Sequence, residues 1–306
     1  RYLEGLAKLK FETKVQILDI SKDSLLLAKN FFLSLENQGF LSVSFKDSVE
    51  DIEGTFDIAI ISTTAKNRVE IIQNIKQKFE IRSWIIEKVI VQSLDELRKM
   101  ERMFINNKKV WVNHPRRIMK WHREIKKTFL NNINIKNPIK VKIQGIEWGL
   151  ACNALHFIDL VSWWTDDVIK DIDISGLNNW SKSKRKGFEE VYGIMKINFI
   201  KNSTLELICS PGELSTHSIE INTLKSFINI DEQKGKAYLS DGNYLSGKVD
   251  NLSDIVPEVI CKIYRDFNCD LTALEQSILQ HEKFLESLMK HRRLTLKEES
   301  ILVPIT

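Results

Sequence analysis

The sequence has few cysteines, and their spacing excludes two kinds of site. Cys152, Cys209, Cys261 and Cys269 are the cysteines among 306 residues, and no two of them have the CxxC spacing typical of zinc ligands. Four cysteines in so long a chain do not make a disulfide framework. We therefore predict no metal site and expect a reducing, cytoplasmic location.

The sequence also has little net charge and no long apolar run. The 45 basic and 41 acidic side chains leave a net charge of +4, which does not indicate nucleic acid or a membrane surface as a partner. No apolar run approaches the roughly 20 residues of a membrane-spanning helix. With 43% hydrophobic residues the composition is that of a globular protein. Its length suggests about two domains of roughly 150 residues each.

The first half of the chain alternates short apolar runs with helical segments. The apolar runs are residues 14–19, 56–62, 84–87 and 109–113, and the helical segments are residues 2–8, 24–35, 66–79 and one that opens at Ser93 with the capping pattern Ser-Leu-Asp-Glu. Continuous apolar strands alternating with helices are typical of a parallel sheet with both faces covered. The sequence therefore predicts an α/β fold for this half.

Polar side chains follow each of these predicted strands. In open α/β sheets, ligands bind beyond the carboxyl ends of the strands. An acid at the end of the second strand of such a sheet can accept both ribose hydroxyls of a dinucleotide. The alternative is that these positions are polar only because they lie in loops. The residues at the strand ends are Asp19, Ser62, Thr63, Thr64, Glu87, Lys88, Asn113 and His114.

Residues 145–164 begin as a strand and end as an apolar helix that carries polar side chains on one face. Asn153, His156 and Trp163 share that face, because residues three or four apart on a helix are neighbours. Asp159 follows His156 by three residues and is expected to reach its imidazole. A histidine beside a carboxylate can hold one tautomer and pass a proton. The alternative is a core histidine that is satisfied by a neighbour.

The glycine-rich turn GxGxxG, which cradles the pyrophosphate in dinucleotide-binding domains, does not occur in this sequence. Arg1 begins what looks like the helix that would follow such a turn. We expect the sequence to be a fragment, with the first strand and the phosphate loop before Arg1. A chain without this loop is expected to bind a dinucleotide weakly, since backbone N–H groups at a helix N-terminus normally hold the pyrophosphate.

Five short motifs, in this order and spacing, resemble the Gfo/Idh/MocA family of oxidoreductases over essentially the whole chain. The segment RYLEGL at residues 1–6 resembles the first helix of the family's Rossmann domain, and Ser62-Thr63-Thr64-Ala65 its Thr-Pro turn. Glu87-Lys88-Val89 resembles the family's Glu-Lys-Pro motif, although Val89 replaces the proline. Residues 112–117 (VNHPRR) resemble the crossing into the second domain, and residues 153–159 (NALHFID) the histidine helix.

The resemblance implies a Rossmann-like domain and hydride transfer between a nicotinamide and a sugar or related polyol. It implies that Lys88 holds the reacting hydroxyl and stabilises its developing charge, and that His156 is the general acid or base. Cys152 stands where the family often has an aspartate. The implied cofactor-binding residues are Asp19, Ser62, Thr63, Thr64, Glu87, Lys88 and Asn113, and the implied substrate-binding residues are Lys88, Arg116, Trp148, Asn153 and His156.

Asp19 also predicts the choice of cofactor. Its carboxylate would accept a hydrogen bond from the 2′-hydroxyl of NAD(H) and repel the 2′-phosphate of NADP(H). We therefore predict NAD(H) in preference to NADP(H).

The second half of the chain changes from continuous apolar runs to alternation. Period-two alternation recurs at residues 171–174, 190–200, 203–209, 217–222 and 226–231, and helices are predicted at 251–267 and 271–291. Such alternation is typical of an open, mainly antiparallel sheet with one face covered, as in the family's α+β second domain. The predicted domains are 1–113, 114–270 and a helix with its tail, 271–306, that packs back on the first. Self-association is expected through the open face of the second-domain sheet.

Together these features predict an NAD(P)-dependent dehydrogenase that acts on a sugar or sugar derivative, nucleotide sugars included. Two alternatives stay open at this point. One is a non-catalytic sugar-binding or scaffold protein of the same fold, and the other is a reductase of a non-sugar carbonyl or imine.

Overall fold

The computed structural model describes residues 1–130, 138–224, 226–297 and 301–306. The chain divides into two compact units. Unit 1 comprises Arg1–Ala59, Ile72–Trp84 and Asp250–Asp270, and unit 2 comprises Ile60–Ile71, Ile85–Val249 and Leu271–Thr306. The domain boundaries proposed from the sequence stay a prediction.

Helices and strands alternate in the first part of the chain, as the sequence predicts. The helices are α1 (Tyr2–Leu6), α2 (Lys22–Leu33), α3 (Arg68–Lys78) and α4 (Leu94–Phe104). The strands are β1 (Thr13–Leu18), β2 (Leu41–Lys46), β3 (Phe56–Ile61), β4 (Ile81–Glu87) and β5 (Val110–Asn113).

The later part of the chain is rich in strands. Its strands are β6 (Lys140–Ile146), β7 (Ile169–Lys182), β8 (Glu189–Phe199), β9 (Thr204–Ser210), β10 (Thr216–Asn222), β11 (Phe227–Asp231), β12 (Lys236–Leu239), β13 (Tyr244–Ser246) and β14 (Thr272–Ala273). Its helices are α5 (Lys120–Ile125), α6 (Leu150–Thr165), α7 (Leu252–Asp266) and α8 (Leu274–Leu296).

The strands of the first part lie in two sheets. β1 and β2 form a parallel pair, and a second sheet has the order β14-β5-β4-β3. The sequence predicted one parallel sheet. Instead, the strands are divided between two sheets: β1 pairs only with β2, and no other strand of the described residues lies against its free edge.

The predicted helix start at Ser93 is confirmed. The Ser93 side chain accepts a hydrogen bond from the backbone N–H of Glu96 at 3.2 Å, which satisfies one of the free donors at the start of α4. The carboxylate of Glu96 accepts the backbone N–H of Gln92 at 3.0 Å, one residue before the position that a reciprocal capping box would use.

The open sheet expected for the second half is present in unit 2 and has eight strands in the order β13-β12-β11-β10-β6-β9-β8-β7. Its pairs are antiparallel except β6 with β9, which is parallel. In β9 the side chains of Leu205, Leu207 and Cys209 are buried and alternate with more exposed ones. The predicted α/β class with a mainly antiparallel second sheet is confirmed.

Helix α6 packs on β8 and β9 of this sheet, and most of its residues are buried. The helix expected from residue 271 begins later, at Leu274, because Thr272 and Ala273 pair with Val112 and Trp111 of β5 as strand β14. α8 then packs on α4, α6, β5 and β7. Among the described residues, no helix is long and apolar enough to cross a membrane.

Candidate functional site

Lys88 directly follows β4, and its amine reaches the first turn of α6. The Nζ atom donates to the backbone carbonyl of Cys152 at 2.8 Å and lies 3.4 Å from Oδ1 of Asn153. Burial lowers the pKa of Lys88 from its usual value. The Lys88–Val89 peptide bond is cis. The structure thus brings Lys88 to the helix that carries His156.

His156 lies one turn further along α6 and contacts a second histidine. Its ring meets the ring of His114 edge-on, with centroids 5.5 Å apart and an interplanar angle of 86°. Burial, together with the charge of Lys88, lowers the pKa of His156 well below its usual range. Burial lowers the pKa of His114 in the same way. Both imidazoles are therefore neutral at physiological pH.

The Nδ1 atoms of both rings are buried without a hydrogen-bond partner among the described residues. On its other side His114 reaches α8, where its Nε2 lies 3.3 Å from Oγ of Ser277. His281 completes this chain: its Nδ1 lies 2.8 Å from the Ser277 carbonyl, and its Nε2 accepts the backbone N–H of Ile90 at 3.1 Å. These contacts fix the Nδ1–H tautomer of His281 and tie α8 to the turn that follows Lys88.

The predicted cofactor residues at the ends of β4 and β5 contact each other. Nδ2 of Asn113 donates to Oε1 of Glu87 at 2.7 Å. Asn113 is buried and Glu87 is partly exposed, so the pair fixes the Glu87 carboxylate beside Lys88.

A buried arginine, which the sequence analysis did not single out, joins the two turns around Lys88. Arg68 is 1% exposed, and its guanidinium donates to the carbonyls of Thr63, Glu87 and Val89. Ser62 and Thr63 are exposed, and Thr64 is partly exposed. The predicted hydroxyl-bearing turn is therefore held in place by Arg68 while its side chains stay accessible.

Asp19 lies at the end of β1 in unit 1 and is exposed, as the prediction of a ribose-binding acid requires. Its Oδ1 accepts the backbone N–H of Ser21 at 2.9 Å.

Two of the predicted substrate-binding side chains are engaged within the protein. Arg116 forms two 3.2 Å hydrogen bonds with the buried carboxylate of Glu232, and its guanidinium lies 4.3 Å from the ring centroid of Phe157. The indole N–H of Trp148 donates to the carbonyl of Ile208 at 2.9 Å. The substrate contacts of Arg116 and Trp148 stay predictions.

The expected contact between Asp159 and His156 is wrong. The Asp159 carboxylate accepts from Thr272 Oγ1 at 2.7 Å and from Gln280 Nε2 at 3.3 Å, and forms an ion pair with Arg117 at 3.1 Å. Arg117 is itself only 7% exposed. A buried guanidinium needs a counter-charge, and this requirement explains why Asp159 turns to Arg117.

A second acid, Glu190 of β8, lies at the start of α6, where no sequence pattern predicts one. Its carboxylate accepts the backbone N–H groups of Ala151 at 2.5 Å, Val191 at 2.9 Å and Cys152 at 3.4 Å. Glu190 is 6% exposed. In the sequence it is one member of an alternating strand next to another glutamate, so no local pattern distinguishes it.

No protein-family model matches the chain, and no curated protein matches it. Solved structures do match it over most of its length. A scyllo-inositol dehydrogenase from Lactobacillus casei with bound NAD(H) and scyllo-inositol is 13% identical and has a TM-score of 0.63, over 93% of this chain and 91% of that one. An oxidoreductase from Agrobacterium radiobacter in complex with NAD+, L-tartaric acid and magnesium is 13% identical, with a TM-score of 0.69 over 92% and 90%.

A super-repressor mutant of Gal80p from Saccharomyces cerevisiae is also similar, with 14% identity and a TM-score of 0.69 over 96% of this chain and 90% of that one. Identities this low show a shared fold. The chain therefore has the fold that the resemblance to the Gfo/Idh/MocA oxidoreductases implies.

Proposed function

We propose that the protein is an NAD(P)-dependent oxidoreductase that transfers a hydride between nicotinamide and a sugar, a polyol or a related derivative. The observation that carries the proposal is the approach of the partly buried Lys88 amine to α6, the helix that carries the neutral imidazole of His156. The shared fold supports it, because solved proteins with this fold include dehydrogenases that bind NAD(H). Because a fold alone does not fix a function, these two side chains carry the proposal.

Lys88 is suited to hold the reacting oxygen. A lysine ammonium has three N–H donors, and the Cys152 carbonyl and the Asn153 amide take two of them. The third is left for a substrate hydroxyl or carbonyl. A cation held in a buried site stabilises the negative charge that develops on this oxygen more strongly than water does.

His156 is suited to move the proton of the same oxygen. Its imidazole is neutral, and its buried Nδ1 has no hydrogen-bond partner among the described residues. A neutral imidazole can take the hydroxyl proton when an alcohol is oxidised, and its conjugate acid returns the proton when a carbonyl is reduced. The two side chains therefore have different roles: Lys88 keeps its charge, whereas His156 changes its protonation state during turnover.

The described residues fit parts of a dinucleotide. The accessible hydroxyls of Ser62, Thr63 and Thr64 and the carboxylate of Glu87 offer hydrogen bonds in unit 2, and Asp19 offers ribose-binding oxygens in unit 1. When bound, the nicotinamide supplies or accepts the hydride, and the protein supplies orientation and charge.

We propose NAD(H) as the preferred cofactor on the basis of Asp19. Catalytic efficiencies with the two cofactors test this, and Asp19→Asn should narrow the difference between them because the charge that repels a 2′-phosphate is lost. A higher catalytic efficiency with NADP(H) than with NAD(H) in the wild type would remove Asp19 from this role.

All four cysteines are free, which supports the proposed cytoplasmic location.

The test of the function is a panel of polyols, aldoses, inositols and nucleotide sugars assayed at saturating NAD(H) or NADP(H). Substrate-dependent absorbance change at the wavelength of the reduced cofactor, abolished by Lys88→Met, is the expected result. Lys99→Met, which removes an exposed amine on α4, is the matched control and should keep the activity.

A second candidate function is ligand binding without catalysis. The observation that favours it is the match to a super-repressor mutant of Gal80p, which has the same fold. This candidate predicts that a member of the panel raises the melting temperature of the protein while no cofactor turnover occurs. Turnover that depends on Lys88 would exclude it.

A further inference from the structure

We propose that Glu190 is a positioning residue for Lys88: its carboxylate fixes the first turn of α6, thereby places the amine, and favours its charged form. The proposal rests on the function given above for Lys88. The Lys88 amine bonds to Cys152 and Asn153 rather than to Glu190, so Glu190 acts through Cys152.

Helix α6 begins without a side-chain cap of its own. The first four N–H groups of a helix have no partner within it. The N-cap residue here is Gly149, which has no side chain to offer. Glu190 reaches across from β8 and accepts the N–H groups of Ala151 and Cys152 instead. A carboxylate is well placed there, because the N-terminus of a helix carries a partial positive charge.

Gly149 supports this arrangement. Its φ of +75° lies in the left-handed region that favours glycine, and a Cβ built on it would lie 3.2 Å from Oε2 of Glu190 and 3.1 Å from Nδ2 of Asn153. Any other residue would press on both of these side chains. The glycine therefore leaves room for the carboxylate to cap the helix and for the amide to face Lys88.

Glu190 is connected to Lys88 through a single residue of α6. Cys152 joins the two: its N–H bonds to the Glu190 carboxylate and its carbonyl accepts the Lys88 amine. The other acceptor of the amine, Asn153, is held by a 2.6 Å hydrogen bond from its Nδ2 to the carbonyl of Trp148. Both acceptors of Lys88 thus belong to the turn that Glu190 fixes.

The groups around Lys88 shift its pKa in both directions. Burial is the main effect on Lys88 and lowers its pKa. Cys152 and Glu87 raise it, Arg68 lowers it, and the charge of Glu190 raises it by a smaller amount. Burial raises the pKa of Glu190 itself, and its hydrogen bonds with Val191, Ala151 and Cys152 oppose that shift. The other titratable groups near Lys88 are His114 and His156, and the charge of Lys88 lowers the pKa of each.

These relations predict the sign of the effect. A glutamine at position 190 keeps the size and one acceptor but removes the charge that favours the ammonium. The pKa of Lys88 should therefore fall in Glu190→Gln. If catalysis needs the ammonium, activity is lost as the pH rises through the pKa of Lys88, and this alkaline limb should move to lower pH in the variant.

The experiment compares Glu190→Gln and Glu190→Asp with Glu189→Gln. Glu189 is the preceding residue of β8 and forms an ion pair with Arg292, so it provides a matched control for the loss of one carboxylate from this strand. The pKa of Lys88 is measured by NMR titration of its Cε resonance, assigned by its absence from Lys88→Met. This arm requires no turnover.

We expect a lower Lys88 pKa in Glu190→Gln, partial recovery in Glu190→Asp, and no change in Glu189→Gln. With a substrate from the panel, kcat/KM should fall by about 10- to 100-fold in Glu190→Gln, the scale of a misplaced catalytic group. The alkaline limb of its pH–activity profile should move to lower pH. A Lys88 pKa equal to that of the wild type in a folded Glu190→Gln protein would overturn the proposal. A wild-type protein that shows no turnover with any substrate of the panel would contradict the proposed function. The NMR titration would then decide the role of Glu190.

Discussion

At the scale of single residues, the environment of Lys88 explains why one lysine among many could be chemically distinct. Its amine is partly buried, bonded to a backbone carbonyl, and close to imidazoles that burial keeps neutral. Perturbed groups of this kind cluster at functional sites, although structural networks also produce them.

Buried neutral histidines make a prediction about stability at acid pH. Burial lowers the pKa of His281 to about 3, whereas an unfolded histidine titrates near 6.5. Below about pH 6.5 the unfolded chain therefore binds a proton that the folded chain does not, and the free energy of unfolding should fall by up to about 1.4 kcal/mol per pH unit from this residue. The free energy of unfolding, measured with urea between pH 5 and 7, should change less steeply with pH in His281→Gln than in the wild type. An equally steep pH dependence in both proteins would mean that His281 is protonated in the folded state.

The sequence predicted several site residues but could not predict their partners. Strand ends pointed to Lys88, Glu87 and Asn113, because the carboxyl ends of strands are positions where side chains converge. Asp159 and Glu190 show the limit. Helical spacing placed Asp159 near His156, but a buried arginine far away in sequence attracts it. Glu190 became significant only when β8 met the start of α6.

At the scale of secondary structure elements, the segment Val303–Thr306 joins several parts of unit 2. The backbone N–H of Val303 bonds to the Gln92 carbonyl, and Nε2 of Gln92 donates to the Ile305 carbonyl, each at 2.8 Å. Oγ1 of Thr306 accepts the backbone N–H of Ala65 at 3.0 Å. Val303 and Ile305 are fully buried. The segment therefore holds the turn of Ser62–Ala65 beside the one that follows Lys88.

Thr306→Val tests this role, because it removes the acceptor and keeps the shape. The free energy of unfolding should fall by about 1 kcal/mol, the usual net value of a hydrogen bond, and the amide of Ala65 should exchange with solvent faster. Thr295→Val is the control: its hydroxyl donates to the His291 carbonyl within α8. Unchanged exchange at Ala65 in Thr306→Val would show that the tail does not hold the turn.

Elements with a clear sequence signal were predictable, whereas a very short strand and an alternating strand were not. The apolar runs of β3 and β4 and the cap of α4 were visible in the sequence. β2 was missed because Leu41-Ser-Val-Ser-Phe-Lys46 alternates, whereas continuous apolar runs were expected in this half. β14 has two residues, and only its pairing with β5 reveals it.

At the scale of the whole molecule, the face of the eight-stranded sheet that lies opposite α6 is mixed in character. Glu220, Lys142, Glu206 and Lys196 follow one another across neighbouring strands, so that charges of opposite sign are adjacent. Next to this row, Ile194 and Ile208 face each other in register. Paired charges beside a partly exposed apolar contact suit a surface that meets a copy of itself.

The predicted self-association through this face can be tested by light scattering. Ile208→Asp should weaken a dimer by at least about tenfold, because burying an unpaired carboxylate is costly. Ile200→Asp is the control, since Ile200 is exposed in the turn between β8 and β9. A wild-type protein that stays monomeric at micromolar concentration would show that this face is stable in water alone.

The most direct test of the central claim, that Lys88 and His156 act together on one substrate oxygen, is a double-mutant cycle on turnover. Lys88→Met and His156→Ala should each lower kcat by roughly two to four orders of magnitude, the scale expected for a charge-stabilising or acid–base group. The double variant should lose little more, because groups that act as a unit are not additive. Near-normal turnover in Lys88→Met, or losses that simply multiply in the double variant, would contradict the claim.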